Sequence, residues 1–236
     1  MAAPPALAAM ILAAGRGNRM RPLTDATPKP LLKVGGKPLL FWHLQKLAEA
    51  GFGTVTINHA HLGSQIEAAA GDGSRWNLRV RYSAEEEALE TAGGIRNALP
   101  LIGGPAFAVV NADVYCDYDY AGLASAVDRL AKTQALAHLV LVDNPPHNPE
   151  GDFCLEAGLV RPAGRLRLTF SGLGAYRADL FRPLVRGEKH ALAPLLRSQL
   201  DDSKVTGEHY RGLWTDVGTP ARLAELDARL QTGART

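Results

Sequence analysis

The chain has 236 residues, enough for one large α/β domain or two small ones, and its 46% hydrophobic and 21% charged residues are ordinary for a globular protein. The formal net charge is +2, which supplies no strong field for nucleic acid or for an anionic membrane surface. Two cysteines, Cys116 and Cys154, are too few for a disulfide framework and lack metal-ligand spacing, so a reduced, cytoplasmic setting is expected.

Met1 to Ala14 is apolar, but it has no basic n-region and Pro4-Pro5 interrupt it. It runs directly into a Gly-Arg loop that cleavage would destroy, so Ala8 to Leu12 reads as a first buried strand rather than part of a signal peptide. No other run approaches the apolar length of a membrane span, and there is no internal repeat.

The first strand leads into Gly15-Arg16-Gly17-Asn18-Arg19, and ten residues beyond Arg19 stands Lys29, between Pro28 and Pro30. Glycines let a backbone approach a ligand closely, so that successive N–H groups point at one anionic group. Arg19 and Lys29 add positive charge, and the two prolines stiffen the backbone around the lysine. The combination points to a triphosphate site. The dinucleotide fingerprint is excluded, because Met20 stands where its third glycine belongs. The P-loop is excluded as well: Gly36-Lys37 is followed by Pro38, and Leu31 occupies the first glycine position. The ordinary alternative, a strand–loop–helix turn with incidental basic residues, does not account for Lys29 at this spacing.

A helix is predicted from Leu39 to Ala50, with Leu40, Leu44, Leu47 and Ala48 at the 3.6-residue period and Gly51 as its stop. Strands follow at Thr54–Asn58, Leu78–Tyr82, Phe107–Asn111 and His138–Val142. Between the last two, Ala121 to Thr133 is helical, with Leu123, Val127 and Leu130 on one face. Glu90-Thr91-Ala92-Gly93-Gly94 precedes a helical stretch through Leu99; its glycines permit close approach of a flat ligand, or simply a turn. This rhythm predicts an α/β, Rossmann-like fold: a mostly parallel twisted sheet with helices on both faces. Ligands in such sheets bind beyond the carboxyl ends of the strands, where the Gly15 loop and Asp113 both fall.

After the Asn- and Pro-rich loop Asp143–Pro149 the pattern changes. Short strands at Phe153–Leu155, Leu159-Val160 and Thr169–Tyr176 read as a small β-rich insertion, followed by helices near Ala178–Leu184 and Leu192–Leu200. The last helix begins with Thr219 as cap and Pro220 in the first turn, and Leu223, Leu226 and Leu230 mark its buried side.

Asp113, after a strand of apolar residues, is placed to hold a divalent cation; Mg²⁺ takes one or two carboxylates, with phosphates and water completing its shell. Asp216, just before the capped last helix, is the second candidate. The commoner role for each is a turn or cap aspartate. His43, His59, His61 and His138 lie in or beside apolar elements and read as core or rim histidines, since none has convincing ligand spacing with a partner.

Taken together, G-x-G-x-R, P-K-P-L, N-H-x-x-L-G, L-E-T-x-G-G-I, N-x-D, G-D-F, T-F-S-G, L-A-P-L-L-R, G-E-H-Y-R-G and W-x-D-V-G-T run from Gly15 to Thr219. This order resembles the sugar-1-phosphate nucleotidyltransferases, and within them the N-acetylmuramate-1-phosphate uridylyltransferases of cell-wall recycling. The resemblance implies one nucleotidyltransferase domain over residues 1–236, with a nucleotide-binding part at 8–142 and a sugar-binding part at 143–236. It implies that Ala13, Ala14 and Gly15 line the nucleotide, that Gly17, Asn18 and Arg19 hold the β- and γ-phosphates, and that Lys29 bridges the α-phosphate and the incoming sugar phosphate. Arg19 and Lys29 are thus the expected catalytic residues. Gly93 and Gly94 would contact base or ribose, Asn111 would lie beside the nucleoside, and Gly151 and Asp152 would face the sugar. Asp113 and Asp216 would together bind Mg²⁺, a pairing the residues alone do not establish.

The implied reaction is in-line attack by a sugar 1-phosphate on the α-phosphorus of UTP, with no membrane or nucleic-acid partner; oligomeric state carries no sequence signal. Two features depart from the wider family. The Glu-Lys-Pro segment of many glucose and mannose enzymes is absent, with Arg165 and Arg167 as candidate replacements or as a solvated strand edge. Ala112 stands where glycine is usual. The alternatives are mannose 1-phosphate with GTP, glucose 1-phosphate with dTTP or UTP, or a silent nucleotide-sugar-binding regulatory subunit. The last is disfavoured by the presence of Arg19, Lys29, Asp113 and Asp216 together.

Overall fold

The computed structural model describes residues 7–232; the predicted features before Leu7, Pro4-Pro5 among them, lie outside the described residues. In chain order the strands are β1 (Leu7–Leu12), β2 (Lys33–Val34), β3 (Lys37–Pro38), β4 (Phe52–His59), β5 (Arg79–Ala84), β6 (Ala106–Asn111), β7 (Val114–Cys116), β8 (Ala137–Val142), β9 (Phe153–Glu156), β10 (Leu159–Arg161), β11 (Arg167–Arg177), β12 (Val205–Tyr210) and β13 (Trp214–Asp216). The helices are α1 (Leu23–Ala26), α2 (Leu39–Glu49), α3 (Gly63–Ala70), α4 (Glu90–Ile102), α5 (Ala121–Ala131), α6 (Leu192–Arg197) and α7 (Pro220–Gln231).

One sheet of nine strands, ordered β5-β4-β1-β6-β11-β8-β12-β10-β9, forms the framework. Alternation along each strand feeds two cores. From β1, Ala9 and Ile11 pack with Leu40, Leu44 and Leu47 of α2 and Leu123 of α5. Ala8 and Met10 face the other way, against Ala92, Ile95 and Ile102 of α4 and Leu196 of α6. A third cluster, around Met20, Val34, Tyr115 and Val217, receives Leu226 of α7. That helix starts as the sequence predicts: Thr219 accepts from the Arg222 N–H, and Pro220 occupies the first turn.

β1 pairs in parallel with β4 on one side and β6 on the other. The chain leaves β1 toward β4 and β5 and returns to β6, so a topological switch point opens beyond the carboxyl ends of β1 and β6. Thr169–Tyr176, grouped by sequence with the β-rich second half, lies elsewhere than expected. It forms most of β11, which inserts antiparallel between β6 and β8 at the middle of the sheet. Its burial on both faces explains why it shows no clean alternation of polar and apolar residues that would declare a partner. Similarly, the glycines expected to precede a helix lie inside its first turns, because α4 starts at Glu90.

Candidate active site

A cavity of about 380 Å³ occupies the switch point, and Ala13, Ala14, Gly15, Gly17, Asn18, Arg19, Lys29, Asn111 and Asp113 all line it. Gly17 has φ +69, and the turn Asn18–Met20 follows it. Met20, the residue that breaks the dinucleotide fingerprint, is fully buried and anchors this turn, while Arg19 remains exposed. The Thr24 hydroxyl donates to the Gly17 carbonyl at 2.9 Å, tying the loop to α1. Lys29 is only 8% exposed. Its Nζ donates to Asp113 Oδ2 at 2.5 Å, and the Leu31 N–H donates to the Pro28 carbonyl at 2.8 Å, so the lysine sits on a fixed turn.

The two aspartates come together through the backbone. Short β7 and β13 pair antiparallel with Asp216 opposite Val114, and the Val217 N–H donates to the Asp113 carbonyl at 2.8 Å. Their carboxylates have different neighbours. Asp216 Oδ1 accepts from Arg222 Nη1 at 2.5 Å and lies 3.0 Å from His147 Nε2, bordering a separate cavity of about 360 Å³. Both side chains keep solvent access, 39% for Asp113 and 22% for Asp216. No group of three or more His, Cys, Asp or Glu is gathered to hold a metal among the described residues. Two accessible carboxylates on neighbouring backbones fit Mg²⁺, a hard cation that dehydrates reluctantly and is seldom caged by protein alone. Burial pushes the Cys116 thiol up to about 11, so it stays protonated and unsuited to nucleophilic work.

Gly93 and Gly94 do not line the cavity. A Cβ on Gly93 would stand 2.3 Å from the Glu188 carbonyl oxygen, and one on Gly94 would stand 2.8 Å from Asn58 Nδ2 and 2.9 Å from Glu85 Oε1. Their small size serves the packing of α4 against protein. The residues that do line the cavity there, Asn58, Glu85, Glu90 and Thr91, received no role from sequence reasoning. Asn58 and Glu85 are buried and form a relay: the Ala13 N–H donates to Asn58 Oδ1 at 2.9 Å, Asn58 Nδ2 donates to Glu85 Oε1 at 2.7 Å, and the Leu89 N–H donates to Glu85 Oε2 at 3.0 Å. This joins the ends of β1 and β4 to the start of α4. The signal available in the sequence was an asparagine near the end of one strand and a glutamate just after the next.

A third cavity, about 480 Å³, shares Glu90, Thr91 and Asn111 with the first and is walled by Asp152, Phe153, Phe170 and Leu192. Asp152 borders it, with Oδ2 accepting from the Phe170 N–H at 2.8 Å; Gly151 stands behind, packed on Asn144 and Leu168. Arg167 donates to the carbonyls of Gly151 at 3.3 Å and Asp152 at 3.2 Å, so it clasps this loop, and neither it nor Arg165 lines the cavity. Of the histidines, His43 meets the Tyr120 hydroxyl at 2.7 Å, His59 meets Glu67 at 2.7 Å, His61 meets the Thr24 carbonyl at 3.3 Å, and His138 meets Thr206 at 2.9 Å; none lines this cavity.

A glycine-rich turn with an arginine and a buried lysine paired to an aspartate line one cavity, and a cavity that joins it at Asn111 leaves room for a second substrate beside a phosphate-bearing one. The nucleotidyl transferase family profile matches residues 8–155, and the chain belongs to that family. It is 54% identical over 93% of its length to N-acetylmuramate alpha-1-phosphate uridylyltransferase of Neisseria meningitidis, covering 96% of that protein. The enzyme of the same name from Caulobacter vibrioides is 34% identical over 94% of this chain and 96% of its own length. A solved Bacillus anthracis structure, assigned as a glucose-1-phosphate thymidylyltransferase, matches with a TM-score of 0.83 at 20% identity, covering 96% of both chains, and supports the fold alone.

Proposed function

We propose that this protein transfers a uridylyl group from UTP to N-acetylmuramic acid 1-phosphate, giving UDP-N-acetylmuramic acid and pyrophosphate in the recycling of peptidoglycan. The observation that carries the reaction class is the convergence of Gly17, Arg19, Lys29 and Asp113 on one cavity. The choice of nucleotide and sugar rests on full-length likeness to two uridylyltransferases.

A phosphate oxygen of the sugar 1-phosphate is already an anion, so attack on the α-phosphorus needs no general base. What the reaction needs is alignment and charge neutralisation. The loop from Gly15 to Arg19 holds the β- and γ-phosphates with backbone N–H groups and one guanidinium, while Ala13 and Ala14 flank the nucleoside. Lys29, held on its rigid turn, sits between the α-phosphate and the incoming phosphate. Asn111 orients the nucleoside where the first and third cavities join, and Asp152 faces the sugar across the third cavity. Asp113 and Asp216 would hold Mg²⁺. When bound, that ion neutralises phosphate charge and stabilises the departing pyrophosphate. Lys29 pairs with Asp113 and Arg222 with Asp216, so each carboxylate has a cation beside it. A cytoplasmic site of action belongs to the same reading; no helix among the described residues is long and apolar enough to cross a membrane.

The test is pyrophosphate release by the purified protein with Mg²⁺, UTP and N-acetylmuramic acid 1-phosphate. Turnover with this pair well above turnover with GTP and mannose 1-phosphate supports the reading; the reverse order replaces it.

A further inference from the structure

The first and third cavities meet at Glu90, Thr91 and Asn111. Only Glu90 of the three is charged, and it adopts φ +59. That left-handed backbone costs a residue with a side chain free energy that glycine would not lose. The turn is pinned on both sides of it: the Ala92 and Gly93 N–H groups donate to the His190 carbonyl at 2.9 and 3.1 Å, and the His190 N–H donates to the Leu89 carbonyl at 3.1 Å. An acidic residue suits a helix N-terminus, but any position in the first turn would give that advantage without the strain. Among the described residues no hydrogen bond or ion pair engages the Glu90 carboxylate. Lys189, paired with Glu87 at 2.8 Å, acts on it through charge alone.

We propose that Glu90 selects ribose, its carboxylate accepting hydrogen bonds from the 2′ and 3′ hydroxyls of the nucleotide. The inference rests on the uridylyl-transfer reading. In that reaction the sugar phosphate meets the α-phosphorus where the two cavities join, so the shared residues flank the α-phosphate and the ribose attached to it. A carboxylate there repels phosphate oxygens. The neutral donors beside it are the ribose hydroxyls, and a vicinal pair of them matches the two oxygens of one carboxylate.

The test is calorimetric binding of UTP and of 2′-deoxy-UTP to the wild-type protein and to the Glu90→Gly and Glu90→Gln variants, with thermal unfolding of each. Glycine relieves the backbone, so Glu90→Gly is expected to fold with an unchanged or higher Tm. The wild type is expected to prefer UTP by about tenfold or more, the order expected when a site built for a hydroxyl meets an analogue lacking it. Glu90→Gly should bring the ratio close to one by weakening UTP more than the deoxynucleotide, which loses only its 3′-hydroxyl bond, and Glu90→Gln should fall between. An unchanged ratio in a folded Glu90→Gly protein, or equal weakening of both nucleotides, overturns the assignment. So does a change seen only in the KM for the sugar phosphate. Wild-type protein that binds UTP without ribose preference overturns it alone; wild-type protein that binds no UTP overturns the uridylyl reading and this inference with it.

Discussion

Lys29 and Asp113 share a contact of 2.5 Å, yet the lysine is almost fully buried and the aspartate keeps considerable access to solvent. A pair half open to water contributes little to stability, so its energetic weight falls on function. Asp113→Asn is expected to lower turnover at least about a hundredfold, or roughly 3 kcal/mol of barrier, while Tm moves by only a few degrees. Pyrophosphate release and differential scanning fluorimetry on the same preparation check this; an active, Mg²⁺-dependent Asp113→Asn enzyme would remove the metal role. Lys29→Ala should lower the rate by a similar factor while costing about 1 kcal/mol of unfolding free energy. Comparable losses in both would mark Lys29 as a structural lysine. That Gly15, Gly17, Arg19 and Lys29 line one cavity was legible in the sequence because they lie within one short segment, two glycines and an arginine followed by a proline-flanked lysine. Asn58 and Glu85 were not, since each is a lone polar residue whose partner lies far along the chain.

At the scale of elements, β11 links β6, which ends at Asn111, to β8 and to the strand before Val217. Its pairing with β8 shifts register between Phe170 and Gly174, producing a bulge. Inside the bulge the Ser171 hydroxyl donates to the Val140 carbonyl at 2.6 Å, and Trp214 Nε1 donates to the Ser171 carbonyl at 2.9 Å, which ties in the strand that carries Asp216. Gly172 has φ +82, and a Cβ there would stand 2.8 Å from Asn111 Nδ2. Gly172→Ala is therefore expected to cost about 1–3 kcal/mol of stability, from backbone strain and overpacking, and to raise the KM for the nucleotide as Asn111 is displaced. Urea unfolding and steady-state kinetics read the two effects; a neutral substitution would refute the bulge's role. The T-F-S-G segment was visible in the sequence as a motif and a strand. Its place at the centre of the sheet was not, because antiparallel insertion between β6 and β8 is decided by tertiary packing rather than by strand periodicity. The start of α7 was readable to the residue, since a threonine cap followed by proline is a local signal.

The whole molecule follows from a switch in strand order. Returning the chain to β1's other side leaves a crevice, the glycine loop fills one rim, and the Asn111–Asp113 turn fills the other. The core behind the crevice carries a pH signature. His43 is 1% exposed, and burial lowers its pKa from 6.5 to about 4. At pH 7 it is neutral in both states. Below 6.5 the unfolded chain binds a proton that the folded chain refuses until about pH 4, so stability falls across this window by about 3 kcal/mol. His43→Leu should flatten that slope in unfolding titrations between pH 7 and 4. An equal slope in both proteins would show that other groups govern it.

The central claim is the identity of the reacting pair, and a matrix of pyrophosphate release tests it most directly. UTP, dTTP, GTP and CTP are each combined, with Mg²⁺, with the 1-phosphates of N-acetylmuramic acid, N-acetylglucosamine, glucose and mannose. A dominant signal for UTP with N-acetylmuramic acid 1-phosphate is predicted. A dominant signal in any other cell, or silence throughout while nucleotide still binds, would contradict it.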